Sequence, residues 1–321
     1  MAVRDDVPVY LFTGFMDGGK TTLIEETLYE NGFADDGLKT LIICCEEGDE
    51  MYDEAKLRTV NAYLTTIYDE EDLTAEKLEE LDDQFKPDRV FIEYNGTWEI
   101  ATIMETDAPA GWEIVQTLTA VDSTTFETYL LNMRAMMMEQ FIMSDVVIFN
   151  RSTEDTPKTK FRAAVKAKNR RAQIVYEKMD RTIDEDYDEA LPYDINQSEL
   201  DITDADFGIF YMDIMDNPKK YVGKKIHFLG LVYNPEKGNK LKPGVFIAGR
   251  FAMTCCEDDI QFLGLKVKCD NAKDYAHKSW IDITAEVKYE FALEYKGKGP
   301  VLYPTVINKA TKPEDELVYF T

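Results

Sequence analysis

Near the start of the chain, Gly14, Gly19, Lys20 and Thr21 stand in "GFMDGGKT" at the spacing G-x-x-x-x-G-K-[ST]. That spacing suits phosphate binding. Glycines let the backbone bend closely around phosphate oxygens, and amide N–H groups at a helix start point inward at the anion. On this reading Gly14, Asp17, Gly18, Gly19, Lys20, Thr21 and Thr22 line a phosphate cradle. Lys20 would neutralise the terminal phosphates of a nucleoside triphosphate, and the Thr21 hydroxyl would ligate Mg²⁺. Asp17 is the discordant member, because a carboxylate inside an anion site costs affinity. Its side chain is therefore expected to face solvent.

Such a loop works only if a strand feeds it and a helix leaves it. "VPVYLFTG" before the loop is apolar and branched, and "KTTLIEETLYENG" after it repeats apolar residues at helical spacing. The alternation continues to about residue 178. "LKTLIICC", "DRVFIEYNG", "VQTLTAVD", "SDVVIFN" and "AQIVYE" read as strands, and "LTAEKLEELDDQF", "TFETYLLNMRAMMMEQFIM" and "KTKFRAAVKAKNRRA" as helices. Near-continuous apolar strands separated by helices predict a mostly parallel, doubly wound α/β sheet covered on both faces. Residues 1–178 are thus expected to be a P-loop nucleotide-binding domain. Residues 179–206, dense in acid and poor in periodic apolar positions, read as an acidic linker. From 207 to 321 strand-like runs alternate with Gly, Pro and Asn turns and show no long helical pattern. That texture predicts a smaller all-β domain, an OB-like barrel or a sandwich.

Further along, "CEEGDEMYD" carries Glu46, Gly48 and Asp53, "VFIEYNG" carries Glu93 and Gly96, and "TLTAVDS" carries Asp122. With the loop "GFMDGGKTT", these segments resemble the CobW, UreG and HypB group of metal-related GTPases. Their loop reads G-F-L-G-S-G-K-T-T, from which this chain departs at Met16, Asp17 and Gly18. The resemblance implies that Thr21, Asp53 and Glu93 address Mg²⁺, that Glu93 positions a metal-bound water and that Gly96 senses the γ-phosphate. It also implies that Lys20, Glu93 and Gly96 form the catalytic set, while Asn150 and Arg151 hold the base. The group's guanine-reading N-K-x-D is "NRST" here, with Thr153 in place of the aspartate. A hydroxyl cannot accept two hydrogen bonds as a carboxylate does, so discrimination against adenine should fall. GTP is preferred by resemblance, with ATP left open. The group's C-x-C-C metal motif is missing, because no cysteine lies between Cys45 and Cys255. In the C-terminal half, Arg250, Phe251, Cys255, Cys256, Asp259, Gly264 and Trp280 resemble the small β-domain of YcgQ-like proteins, which accompany permeases.

Cys255 and Cys256 could offer soft thiolates to Zn²⁺ or Cu(I), with Asp259 or His277 as further ligands. Neighbouring strand residues point to opposite faces, so one tetrahedral site would need a bulge or turn there; a packed, reduced pair is the alternative. Charge is lopsided, with 36 Lys and Arg against 62 Asp and Glu and a net charge of −26. A balance this negative repels phosphodiester backbones and anionic lipid, so neither nucleic acid nor a membrane surface is expected as a partner. No apolar run approaches the roughly 20 residues of a membrane span, so no membrane insertion is expected. Five cysteines, two adjacent pairs and one alone, make no disulfide framework, which points to the cytoplasm. The reading is a Mg²⁺-dependent P-loop triphosphatase acting as a nucleotide switch, in metal homeostasis or with a transport partner. Its partners would be the nucleotide and a metalloprotein client or permease. The alternative is a nucleotide-binding scaffold with little hydrolysis that recruits a partner through the β-domain.

Overall fold

The computed structural model describes residues 6–30, 32–48, 52–184, 191–235, 241–253 and 260–319. The chain forms two compact units, Met1–Thr156 with Lys168–Tyr187, and Pro157–Ala167 with Asp188–Thr321. In the first, β1 (Val7–Thr13), β2 (Thr40–Cys44), β3 (Ala62–Thr66), β4 (Arg89–Glu93), β5 (Trp112–Asp122), β6 (Val146–Ser152) and β7 (Gln173–Lys178) make one sheet. The strand order is β3-β2-β4-β1-β5-β6-β7, and the pairings are parallel. Helices α1 (Lys20–Tyr29), α2 (Glu54–Thr59), α3 (Ala75–Phe85), α4 (Ile100–Glu105), α5 (Phe126–Asn132) and α6 (Arg134–Glu139) belong to the same unit. Both faces of the sheet are covered: Leu11, Ile43 and Val90 pack with Leu78 and Leu81 of α3, while Phe12, Ile42 and Phe91 pack with Ile24 and Leu28 of α1. That double burial explains why the strands read as continuous apolar runs. β1 lies between β4 and β5. The chain's winding reverses there, and open α/β sheets hold ligands at the carboxyl ends of such strands. The block "TFETYLLNMRAMMMEQFIM" was expected as one helix, but it breaks at Met133, φ −136°, into α5 and α6. Asn132, a weak helix former, immediately precedes the break.

The second unit contains α7 (Lys158–Lys168, all but its last residue), β8 (Glu199–Asp201), α8 (Phe207–Asp216), β9 (Lys225–Tyr233), β10 (Val245–Met253), β11 (Ile260–Lys268), β12 (Trp280–Ala292), β13 (Gly297–Lys309) and β14 (Leu317–Val318). Five strands close a ring, β9-β10-β11-β13-β12 and back to β9, antiparallel except for β11–β13. This is the expected OB-like barrel. Its interior is built from residues such as Phe228, Val232, Phe246, Leu265, Ile283 and Leu302. Arg250 also points inward, fully buried, where it ion-pairs with Asp204, donates to Asp315 O at 2.7 Å and lies 5.1 Å from the Trp280 ring.

Two expectations for this half change. The stretch read as a solvated linker contributes β8, because Leu200 and Ile202 alternate inward between exposed acids and join the core. A helix, α8, was not foreseen: "FGIFYMDIMD" buries seven of its ten residues, so no helical period shows through its apolar run.

Candidate nucleotide-binding site

β1 delivers the chain into the loop at Gly14, whose φ of 121° favours glycine, and a Cβ there would sit 2.1 Å from Ala120 O on β5. Asp17 is exposed at the rim, with a positive φ of 58°, and its carbonyl accepts a hydrogen bond from Arg151 Nη1 at 3.1 Å. The loop closes at Gly19, a left-handed N-cap of α1 that brings no side-chain capping bond. The N–H groups of the first turn of α1 therefore face the loop without a side-chain acceptor from the cap. Lys20 is buried. Its Nζ donates to Gly14 O at 2.8 Å and Phe15 O at 2.9 Å, and pairs with Glu46 Oε2 at 2.6 Å. The other Glu46 oxygen, Oε1, is buried without a hydrogen-bond partner.

One step along α1, Thr21 Oγ1 donates to Glu93 Oε1 at 2.7 Å at the end of β4. The second Glu93 oxygen accepts from the Tyr52 hydroxyl at 2.5 Å and from the Cys44 thiol at 3.6 Å. Burial first, then the Glu93 charge, pushes the Cys44 thiol up to about 12 and holds Tyr52 well above the usual tyrosine range. Both stay protonated near neutral pH; the Tyr52 hydroxyl donates to Glu93, while the single Cys44 S–H is shared between Glu93 and the nearer Glu46 O at 3.2 Å. Asp17, Gly19, Lys20, Thr21, Glu46 and Glu93 share one cleft. Beside it, Gly96 presses on the loop so closely that a Cβ would lie 2.2 Å from Gly14 O. The buried Gln140 joins the two, accepting from Gly14 N–H at 3.2 Å and donating to Gly96 O at 3.3 Å.

On the other side of the loop, Asn150 Nδ2 donates to Gly18 O at 2.6 Å, while its Oδ1 is buried without a partner. Arg151, at a positive φ of 52°, pairs with Asp122 at 2.6 Å. A second cleft runs past Gly19, Thr22, Asn150, Arg151, Glu177 and Arg181. Thr153 is not among the described residues that line it, and its N–H donates to Thr156 Oγ1 at 2.8 Å instead.

Residues 8–176 match the nucleotide-binding domain shared by CobW, HypB and UreG. The chain belongs to the CobW/HypB/UreG family. Residues 177–320 match the DUF1980 C-terminal domain. The UPF0703 protein YcgQ of Bacillus subtilis is 29% identical over 124 residues, which cover 39% of this chain and 42% of YcgQ. The chain therefore matches less than half the length of that relative. Among solved structures, the Zn(II)-bound YjiA GTPase from E. coli is similar with a TM-score of 0.40 and 22% identity, over 53% of this chain and 57% of that one. The hydrogenase maturation factor HypB from Archaeoglobus fulgidus has a TM-score of 0.37 and 18% identity, over 55% and 82%.

Of the positions picked out by the CobW/HypB/UreG motifs, Gly14, Asp17, Gly18, Gly19, Lys20, Thr21, Glu93 and Gly96 gather around the loop, with Thr22, Asn150 and Arg151 along the second cleft. Asp53 goes elsewhere. Its carboxylate caps α2, accepting from Ala55 N–H at 2.9 Å and Lys56 N–H at 3.2 Å. An N-cap acid satisfies otherwise orphaned first-turn donors. Cys255, Cys256 and Asp259 lie outside the described residues. Among the described residues, Cys44, Cys45 and Cys269 are free thiols, and no group of three His, Cys, Asp or Glu could hold a metal. Sequence reasoning gave no role to Glu46, Tyr52, Gln140 or Glu177. Glu46 stood at a motif position without a role attached, and Gln140 carried a local signal as an amide inside an apolar, Met-rich run.

Proposed function

We propose that the chain is a Mg²⁺-dependent nucleotide switch that takes GTP in preference to ATP and hydrolyses it slowly. The observation that carries this reading is the meeting of the glycine loop, Lys20, Thr21 and Glu93 at the carboxyl end of the central strand. Magnesium fits the donors present, because the Thr21 hydroxyl and the Glu93 carboxylate are hard oxygen ligands 2.7 Å apart. Thr21 and Glu93 would hold it, and the ion would neutralise charge on the phosphate oxygens. Lys20 would exchange Glu46 and the loop carbonyls for phosphate. Gly96, already against the loop, would offer its N–H to the terminal phosphate, with Gln140 fixing its distance from Gly14. Arg151 is the arginine lining the cleft, and Asp122 already engages it, so basal turnover should be slow and open to stimulation by a partner.

The barrel would carry the nucleotide state to a metalloprotein client or a permease, in the cytoplasm and in metal homeostasis. Family membership and the YcgQ similarity support that extension, and Zn²⁺ at Cys255 and Cys256 belongs to it. No described helix is long and apolar enough to cross a membrane. A second reading, a nucleotide-binding scaffold with little hydrolysis, is favoured by one observation: Lys20 is already satisfied by three oxygens of its own chain. Phosphate release decides between them. Turnover of GTP that requires Mg²⁺ and disappears in Lys20→Ala supports the switch. Wild-type turnover in that variant contradicts it, and binding without turnover selects the scaffold.

A further inference from the structure

With Thr153 outside the cleft, the base-reading carboxylate of N-K-x-D has no counterpart at its own position. The neighbouring strand supplies one. β6 and β7 are parallel with Phe149 opposite Tyr176, and those two rings stack at 5.4 Å. Asn150 and Glu177 are the next residues along the two strands, and although the register shifts just beyond this pair, both turn to the same cleft. Both line the second cleft, beside Gly19 and Thr22 of α1.

The other carboxylates nearby are committed. Glu26 pairs with Arg181 at 2.7 Å and Asp122 with Arg151 at 2.6 Å. The Glu177 side chain makes no hydrogen bond or ion pair among the described residues, and Arg181 and Arg151 act on it through charge alone. Burial, then the Glu26 charge, raises its pKa above the usual carboxylate value, with Arg181 and Arg151 opposing the shift. Next to it, the buried Asn150 Oδ1 also lacks a partner. The floor of the cleft thus presents acceptors that the protein itself does not use.

We propose that Glu177 reads the base, its carboxylate accepting hydrogen bonds from N1–H and the 2-amino group of a guanine seated between Asn150 and Arg181. Guanine places those two donors side by side, matching two carboxylate oxygens. Adenine turns a lone pair and a C–H to the same oxygens, and the mismatch rejects it. Glutamine at this position would accept from N1–H with one atom and donate with the other, which matches xanthine, whose C2 carries an oxygen. The assignment rests on the proposed binding of a nucleotide at the loop.

The test is calorimetric titration of full-length wild type, Glu177→Gln and Glu177→Ala with Mg²⁺ and, in turn, GTP, ATP, XTP and base-free tripolyphosphate. Wild type is expected to bind GTP at least about tenfold more tightly than ATP. Glu177→Gln should lose about tenfold or more in GTP affinity and come to prefer XTP, while Glu177→Ala loses GTP without gaining XTP. Tripolyphosphate should bind all three proteins alike, showing that the variants are folded with their loops intact. If GTP and tripolyphosphate bind but neither variant changes the base preference, the Glu177 assignment falls and the nucleotide reading stands. If wild type binds neither, both fall.

Discussion

Lys20 meets three oxygens of its own chain before any phosphate arrives. Its pair with Glu46 is almost fully buried, and removing one partner of a buried pair leaves the other charge uncompensated. Phosphate would therefore have to compete with Glu46 for the lysine. Glu46→Gln keeps a hydrogen-bond acceptor and removes the competing charge. Calorimetric titration should show GTP binding several-fold more tightly, and urea melts should show the free protein less stable by about 1 kcal/mol or more. Weaker GTP binding would mean that Glu46 belongs to the nucleotide site. The glycine spacing was legible in the sequence because it answers a local demand of the backbone: Gly14 has no room for a Cβ. The roles of Glu46, Tyr52 and Glu177 were not legible, since each arises only when segments distant in sequence meet in the fold. Asp53 shows the converse, a motif position whose carboxylate local helix capping uses instead.

At the scale of elements, β8 was hidden because its one inward residue, Leu200, sits between acids, yet it is tied to the barrel by His227 of β9. Its Nδ1 contacts Asp201 of β8 at 2.6 Å and its Nε2 contacts Asp282 of β12 at 2.9 Å. Partial burial pushes the imidazole pKa down, but the two carboxylates outweigh it and the net shift is upward. Lys225, which pairs with Glu199, and Glu286 complete the charged surroundings. A raised folded pKa stabilises the protonated folded state. That stabilisation is complete below the unfolded histidine value of about 6.5 and is lost as pH climbs through the raised folded value. Thermal melts at increasing pH should therefore show a loss of stability that begins as pH rises past about 6.5 and that His227→Gln flattens. An unchanged slope in that variant would remove His227 as its source. The strands of the sheet were the easiest elements to read, since burial on both faces leaves them apolar throughout. α8 was the hardest, because it is apolar on nearly every side.

For the whole molecule, both architectures were legible: alternation of strand and helix fixes a parallel sheet, and turn-separated strands fix a small barrel. The division between them was less so. Most of α7 groups with the barrel unit, where Ala163 joins the core, although its place in the alternation suggests the sheet. A net charge of −26 sets a field that works against any anionic ligand, so a nucleotide can bind only where local geometry overrides it. The loop around Lys20 is where the fold provides that geometry. The most direct test is titration of metal-stripped, full-length protein with GTP in the presence and absence of Mg²⁺, with Lys20→Ala in parallel and circular dichroism to confirm its fold. Binding by wild type that strengthens with Mg²⁺ and is lost in folded Lys20→Ala is the predicted result. Absence of binding by wild type, or equal binding by both proteins, would contradict the account.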